Sequence, residues 1–207
     1  MAGETKQTTL RAHYSPFMIW LGRTMLRILG YEWVGGRPED LKAVITAAPH
    51  TSNWDYFYTM LFSFAIDVPI AVLIKKDWFF WPVGVFLRWL GGVPVDRSQH
   101  SNLVDEMIAA FNQRERMFMV ITPEGTRKKA KYWKTGFYFV AQGAGVPILP
   151  AFMDYVNKRG GFGPIIPVTG DLEADFVKIQ AFYKKQMDVT FILKPKEDGP
   201  REAPKTE

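Results

Sequence analysis

The sequence predicts an α/β fold: one domain with a central, mostly parallel sheet flanked by helices and preceded by an N-terminal amphipathic helix. Three observations carry that expectation. Short apolar runs rich in β-branched residues alternate with segments of helical period from about residue 41 onward, the pattern of a parallel sheet wrapped by helices. The chain has 207 residues, enough for one domain with a proper core. Hydrophobic residues make up 47% and charged residues 23%, a globular composition rather than a disordered one.

Taken in order, the N-terminal "MAGETKQTTLRAHYSP" is polar and lacks the apolar run of a signal peptide. "YSPFMIWLGRTMLRILGY" then places Phe17, Trp20, Leu21, Met25, Ile28 and Leu29 at near-helical spacing, with Arg23 and Arg27 four residues apart on one face. Bulky apolar residues with arginines suit a helix lying in a membrane interface. A plain helix packed on the core has the same periodicity, and both readings stand. "GGRPED" marks a turn.

Beyond it, "LKAVITAAP" predicts a strand, "NWDYFYTMLFSFAI" a helix and "VPIAVLIK" a strand. Residues 56–74 are apolar enough to raise the question of a membrane span. Asp67 and Pro69 interrupt them near the middle, where a charge is costly and a helix would kink, so a buried helix followed by a buried strand is expected. "WPVGVFLRWLG" predicts a short helix and "GVPVDR" a strand. "SNLVDEMIAAFNQR" is a helix with Leu103, Met107, Ile108 and Phe111 as its apolar stripe, and "MFMVITPEG" the next strand. "TGFYFVAQGAG" is a helix stopped by glycine. "VPILPAFMDY" and "GPIIPVT" are expected as closing strands, and "DLEADFVKIQAFYKKQ" as a last helix with an acidic first turn. The expected organisation is a flexible N-terminus (1–13), an amphipathic membrane-associating helix (14–35), a catalytic domain (36–193) and a charged, proline-rich disordered tail (194–207).

Composition narrows the chemistry. With no cysteine, disulfides, thiol nucleophiles and thiolate metal sites are excluded. The three histidines, at 13, 50 and 100, form no His-x-x-x-His pair, so no metal is expected. A formal charge of +5 favours anionic partners: nucleic acid, acidic lipid head groups or phosphorylated small molecules. Seven tryptophans suit a surface that is apolar on one side and wet on the other.

Three polar clusters fall at the ends of predicted strands: "PHTSNWD", "VPVDRSQ" and "TPEGTRKK". Ligands of open α/β sheets bind at such ends. His50 and Asp55, five residues apart, would diverge by about 140° on one helix. They can meet if His50 lies on the loop while Ser52 or Asn53 caps a helix with Asp55 in its first turn. A carboxylate there would orient a neutral imidazole as a general base. The pair alone reads more readily as a local hydrogen bond than as a catalytic pair. In "PEGTR", Pro123 and Gly125 shape a tight turn, and Thr126 and Arg127 supply donors suited to phosphate or carboxylate. Lys128, Lys129, Lys131 and Lys134 add a basic patch, or a solvated face.

In their fixed order, "HTSNWD", "GGVPVDR", "PEGTR" and "GVPILP" resemble the four blocks of the glycerolipid acyltransferase family, which acylates glycerol-3-phosphate or 1-acylglycerol-3-phosphate. The resemblance spans about Ala43 to Ala151. It implies direct transfer of a fatty acyl group from acyl-CoA or acyl-carrier protein to an acceptor hydroxyl, with His50 as base and Asp55 orienting it. It also implies acceptor-phosphate ligands at Lys75, Arg97 and Arg127, an acceptor site shaped by Glu124, Gly125 and Thr126, and an acyl channel supported by Pro147. Acyl-CoA or acyl-carrier protein would be a co-substrate; no resident cofactor is implied. The insert between "EGTR" and the Lys134–Gly136 element is shorter than in typical members. "DYVNKRGGFGPIIPVTGDLEADF" has no role from the family pattern.

The implied partners are a lipid acceptor and an anionic membrane surface, with the protein peripheral on the cytoplasmic face and no transmembrane helix. "WFFWPVGVFLRWLGG" (78–92) and the N-terminal helix would supply the contact. A non-catalytic lipid-binding protein would use the same surface but has no need of an adjacent His and Asp. A nucleic-acid binder fits the charge alone, without a recognition motif.

Overall fold

A computed structural model describes residues 13–38, 42–50, 52, 54–95, 103–125 and 132–193. In chain order it contains α1 (Pro16–Leu29), β1 (Glu32–Val34), β2 (Lys42–Ala47), α2 (Trp54–Ala65), β3 (Ile70–Lys75), a short 3-10 turn (Lys76–Trp78), α3 (Val83–Trp89) and β4 (Gly92–Val95). Then follow α4 (Leu103–Asn112), β5 (Met117–Ile121), β6 (Tyr132–Trp133), α5 (Gly136–Ala144), β7 (Ile148–Asp154), β8 (Arg159–Phe162), α6 (Leu172–Met187) and β9 (Ile192–Leu193).

The main sheet has seven strands in the order β1-β8-β7-β2-β5-β3-β4. From β7 to β4 every pairing is parallel, with Val44 opposite both Ile148 and Met119 and Ile45 opposite both Leu149 and Val120. Only β8 runs antiparallel to its neighbour β7, and β1 pairs parallel to β8 at the edge. A separate two-stranded ribbon joins β6 and β9. The alternating pleat sorts the core. Val44, Met117, Met119 and Ile148 face Phe111, Phe137, Tyr138 and Ile179 of α4, α5 and α6. Ala43, Ile45, Phe118 and Leu149 face Met18 of α1 and Met60 and Phe64 of α2. With both faces covered, the central strands are continuously apolar rather than alternating.

The helix termini follow local rules. Ser15 caps α1, its Oγ accepting the Met18 N–H at 3.3 Å, with proline at the first helical position. Asp171 caps α6 by accepting from Glu173 and Ala174 N–H. The α1–α2 contact is close because Gly22 lies against α2: a Cβ there would sit 2.7 Å from Ala65 N and 2.8 Å from Leu61 O. Arg23 Nε then donates to Ala65 O at 2.9 Å, onto the unsatisfied carbonyl end of α2. So α1 packs one face on α2 while leaving Phe17, Trp20 and Ile28 exposed. Among the described residues, no helix is long and apolar enough to cross a membrane.

The expected strand over "GPIIPVT" is absent; Ile166 makes only an isolated bridge to Ile148. Pro164 and Pro167 lack N–H donors, so this stretch cannot sustain a ladder. The strand that pairs with β7 is instead β8, in the preceding "RGGF". Residues 32–34, expected to continue the amphipathic segment, form the edge strand β1. Apart from His13, the expected flexible N-terminus and the charged tail lie outside the described residues.

Candidate active site

The loop after β2 carries His50, and its course is fixed by α2. Ser52 and Asp55 cap the helix reciprocally: Ser52 Oγ accepts the Trp54 N–H at 3.2 Å, and Asp55 Oδ2 accepts the Ser52 N–H at 2.9 Å. This places Asp55 in the first turn, where the helix N-terminus favours a carboxylate. The same Oδ2 lies 2.8 Å from His50 Nδ1. The loop-and-cap arrangement expected from sequence is therefore the one that brings the two together. With Nδ1 held by a carboxylate, the imidazole's other nitrogen is left to accept a proton.

Two groups complete the arrangement. Glu124, 5% exposed and just after β5, accepts the His50 backbone N–H through Oε1 at 3.0 Å. Burial pushes the Glu124 carboxyl above its usual range, against the opposing pull of the His50 N–H. Tyr155, just after β7, donates its phenolic O–H to Asp55 Oδ1. Sequence reasoning gave Glu124 a place in the acceptor site but not this hold on the His50 backbone, and it gave Tyr155 no role. Tyr155 follows Asp55 by 100 residues, a partnership only tertiary structure creates.

His50, Ser52 and Asp55 line a cavity of about 1110 Å³. Its walls are mostly apolar, among them Val72, Leu73, Leu87, Met107 and Val120. Two lysines border it. Lys75 lines the cavity and is paired with Asp77. Lys134 also lines it, near the "PEG" turn: a Cβ on Gly125 would sit 3.0 Å from Lys134 Nζ, and Gly125 holds a positive φ of 63°. Pro147 does not line the cavity. It precedes β7 at the opposite end of the sheet, where its carbonyl accepts the Val44 N–H at 3.0 Å. Arg97, Thr126 and Arg127 lie outside the described residues, as do Lys128, Lys129 and Lys131.

A smaller groove of about 640 Å³ runs between α1 and the start of α2, lined by Met25, Leu29, Ser52, Trp54, Phe57, Tyr58 and Tyr155. The segment after β3 exposes Trp78, Phe80 and Trp81, whereas Phe79 is half-buried, with the Arg88 guanidinium 5.0 Å over its ring. Three of the four consecutive aromatics thus face outward.

Glu124 gives a stability test with a definite sign. Its carboxyl is raised in the fold, so its contribution to stability is full below the unfolded value of about 4.3 and is lost as pH rises through the folded one. Glu124→Gln keeps an acceptor for the His50 N–H and removes the ionisation. The variant is expected to melt higher than the parent at neutral pH, with the difference vanishing toward pH 4. Thermal unfolding across that range measures it, and parallel curves would contradict it.

A histidine–carboxylate pair thus stands at the carboxyl end of a parallel sheet and lines a largely apolar cavity, the place where open α/β sheets bind ligands. The family model described as Acyltransferase matches residues 36–154, more than half of the chain, and the chain belongs to that family. It is 31% identical over 128 residues to a 1-acyl-sn-glycerol-3-phosphate acyltransferase of Salmonella typhimurium, covering 58% of this chain and 51% of that protein. Against the 1-acyl-sn-glycerol-3-phosphate acyltransferase of Escherichia coli it is 30% identical over 158 residues, covering 71% of this chain and 62% of that protein. The chain thus spans roughly half to three-fifths of these relatives' length. The crystal structure of a 1-acyl-sn-glycerophosphate (LPA) acyltransferase from Thermotoga maritima superposes with a TM-score of 0.59 at 17% identity, covering 84% of this chain and 80% of that one. That likeness concerns the fold.

Proposed function

We propose that this protein transfers a fatty acyl group from acyl-CoA or acyl-carrier protein to the free hydroxyl of 1-acylglycerol-3-phosphate, working at a membrane surface in phospholipid biosynthesis. The observation that carries the reading is the 2.8 Å His50 Nδ1–Asp55 Oδ2 contact opening on a cavity of about 1110 Å³ with apolar walls. The names of the curated relatives support the acceptor.

In this reading His50 Nε2 accepts the hydroxyl proton as the acceptor oxygen attacks the thioester carbonyl. The new C–O bond gives a tetrahedral intermediate, and its collapse breaks the C–S bond. The departing thiolate takes the proton back from His50, leaving an ester and a free thiol. Asp55 stabilises the imidazolium between these steps and keeps the ring aimed. No covalent acyl-enzyme is required. The apolar cavity takes the donor's acyl chain. In this reading Lys75, Arg97 and Arg127 hold the acceptor phosphate, the guanidinium forks being suited to bidentate phosphate contacts, and Lys134, which lines the cavity, adds a further cation.

The test offers purified protein either thioester donor with 1-acylglycerol-3-phosphate, glycerol-3-phosphate or an uncharged monoacylglycerol. The expected product is the diacylated phosphate, with the uncharged acceptor used at least about tenfold less well because its contacts to the basic groups are lost. Equal use of the uncharged acceptor would remove the phosphate from the recognition. Vesicle binding without consumption of thioester would identify a lipid-binding protein instead.

A further inference from the structure

We infer that Tyr155 is a positioning residue for the His50–Asp55 pair, setting the charge and the orientation that Asp55 presents to His50. The inference rests on the general-base reading above and goes beyond it, since it assigns work to the segment after β7.

Asp55 has two carboxylate oxygens with different duties. Oδ2 serves His50 Nδ1 at 2.8 Å and the Ser52 N–H at 2.9 Å. Oδ1 accepts the Tyr155 hydroxyl. With both oxygens engaged, the carboxylate is held against rotation about its terminal bond, and the plane it offers the imidazole is fixed. Tyr155 also draws negative charge away from Asp55, so the carboxylate stabilises a protonated imidazole less than it otherwise would.

Tyr155 is itself built in. Asp154 closes a turn beneath it, with Oδ1 accepting the N–H groups of Val156 at 3.1 Å and Asn157 at 2.9 Å, while Oδ2 accepts Asn157 Nδ2 at 2.8 Å. Arg159 Nε, 3.3 Å from the same Oδ2, ties the turn to β8. The phenol ring meets Tyr58 of α2 edge-on, centroids 5.5 Å apart. It also lines the smaller groove, together with Ser52. Burial first, and the Asp55 carboxylate second, push the Tyr155 phenol above its ordinary range, so it remains a donor through neutral pH.

Among the described residues, the other titratable groups facing this cluster are Glu124 after β5, Tyr58 of α2 and Tyr31 after α1, with Asp154 beside Tyr31. Lys75 and Lys134 border the adjoining cavity. Tyr155→Phe removes the hydroxyl that donates to Asp55 Oδ1 while keeping the ring that packs on Tyr58.

Tyr155→Phe is expected to lower kcat about tenfold, the loss of one charge-assisted hydrogen bond, with KM for the thioester within about twofold of the parent. The acid limb of its pH–rate profile moves to higher pH by about half a unit, because the unshielded carboxylate holds the proton on His50 more firmly. NMR titration of the His50 ring moves the same way and needs no turnover, so it reads this chain of contacts even if the protein acylates none of the acceptors tried. Asn157→Ala, which loosens the turn and leaves the phenol present, shifts the same limb in the same direction by less. A His50 titration and an acid limb unmoved in both variants would overturn the inference.

Discussion

His50→Ala is expected to lower acyl transfer by about a thousandfold, within the range a positioned general base supplies. The side chain lies on a loop at the cavity mouth, 22% exposed, and no core cluster depends on it. Its loss leaves Asp55 still held by the Ser52 N–H and by Tyr155. The circular dichroism spectrum and melting temperature should therefore stay close to those of the parent, so that lost turnover reports lost chemistry rather than lost structure. KM for the thioester should change little, since in the proposed reading the apolar walls, and not the imidazole, hold the acyl chain. A variant as active as the parent would remove His50 from the reaction.

The second large effect concerns the surface. Trp78 is 60%, Phe80 56% and Trp81 83% exposed, an arrangement that leaves apolar area in water unless something covers it. Val85 and Phe86 of α3 extend the same sequence segment with exposed side chains. If a bilayer covers it, replacing Trp78, Phe80 and Trp81 together with serine should weaken partitioning onto vesicles containing anionic lipid by about a hundredfold or more, from the apolar area no longer transferred. Turnover on a short-chain, water-soluble acceptor should change far less than vesicle binding, with any loss traceable to Trp78, which also lines the cavity beside His50. Cosedimentation with vesicles measures the first and a soluble-acceptor assay the second. Vesicle binding equal to that of the parent would place the membrane contact elsewhere, with the exposed Phe17, Trp20 and Ile28 of α1 next in line.

Much of the fold was legible because the information is local. The runs that became β2, β3, β5 and β7 are apolar on both faces, as strands covered by helices must be, and the intervening helices carry their stripes and caps in plain view. The last sheet elements were not legible, and the reason is physical. The strand β8 is "RGGF", where two glycines give little strand preference and the pairing comes from β7 and β1 rather than from its own side chains. In "GPIIPVT" the β-branched residues suggested a strand, and two prolines without donors prevented one.

The site divides the same way. His50 and Asp55 could be read because the cap that joins them lies within six residues of sequence. Glu124 could be placed at a strand end, but its partner is a backbone N–H far off in the chain. Pro147 belongs to a recognisable block yet stands at the far end of its strand from the cavity, since a block marks sequence and not reach. Tyr155 carried no sequence signal, because its value to Asp55 depends on where the turn after β7 lands.

The most direct test of the account is a single-turnover experiment, with the protein in excess over a labelled fatty acyl thioester and 1-acylglycerol-3-phosphate present, followed by mass spectrometry of lipid and protein together. General-base transfer through His50 predicts that thioester disappears in step with the appearance of the diacylated phosphate, with no acyl group on the protein at any time. An acyl-protein species that forms and decays along the way, or a thioester left intact with every acceptor, would contradict it.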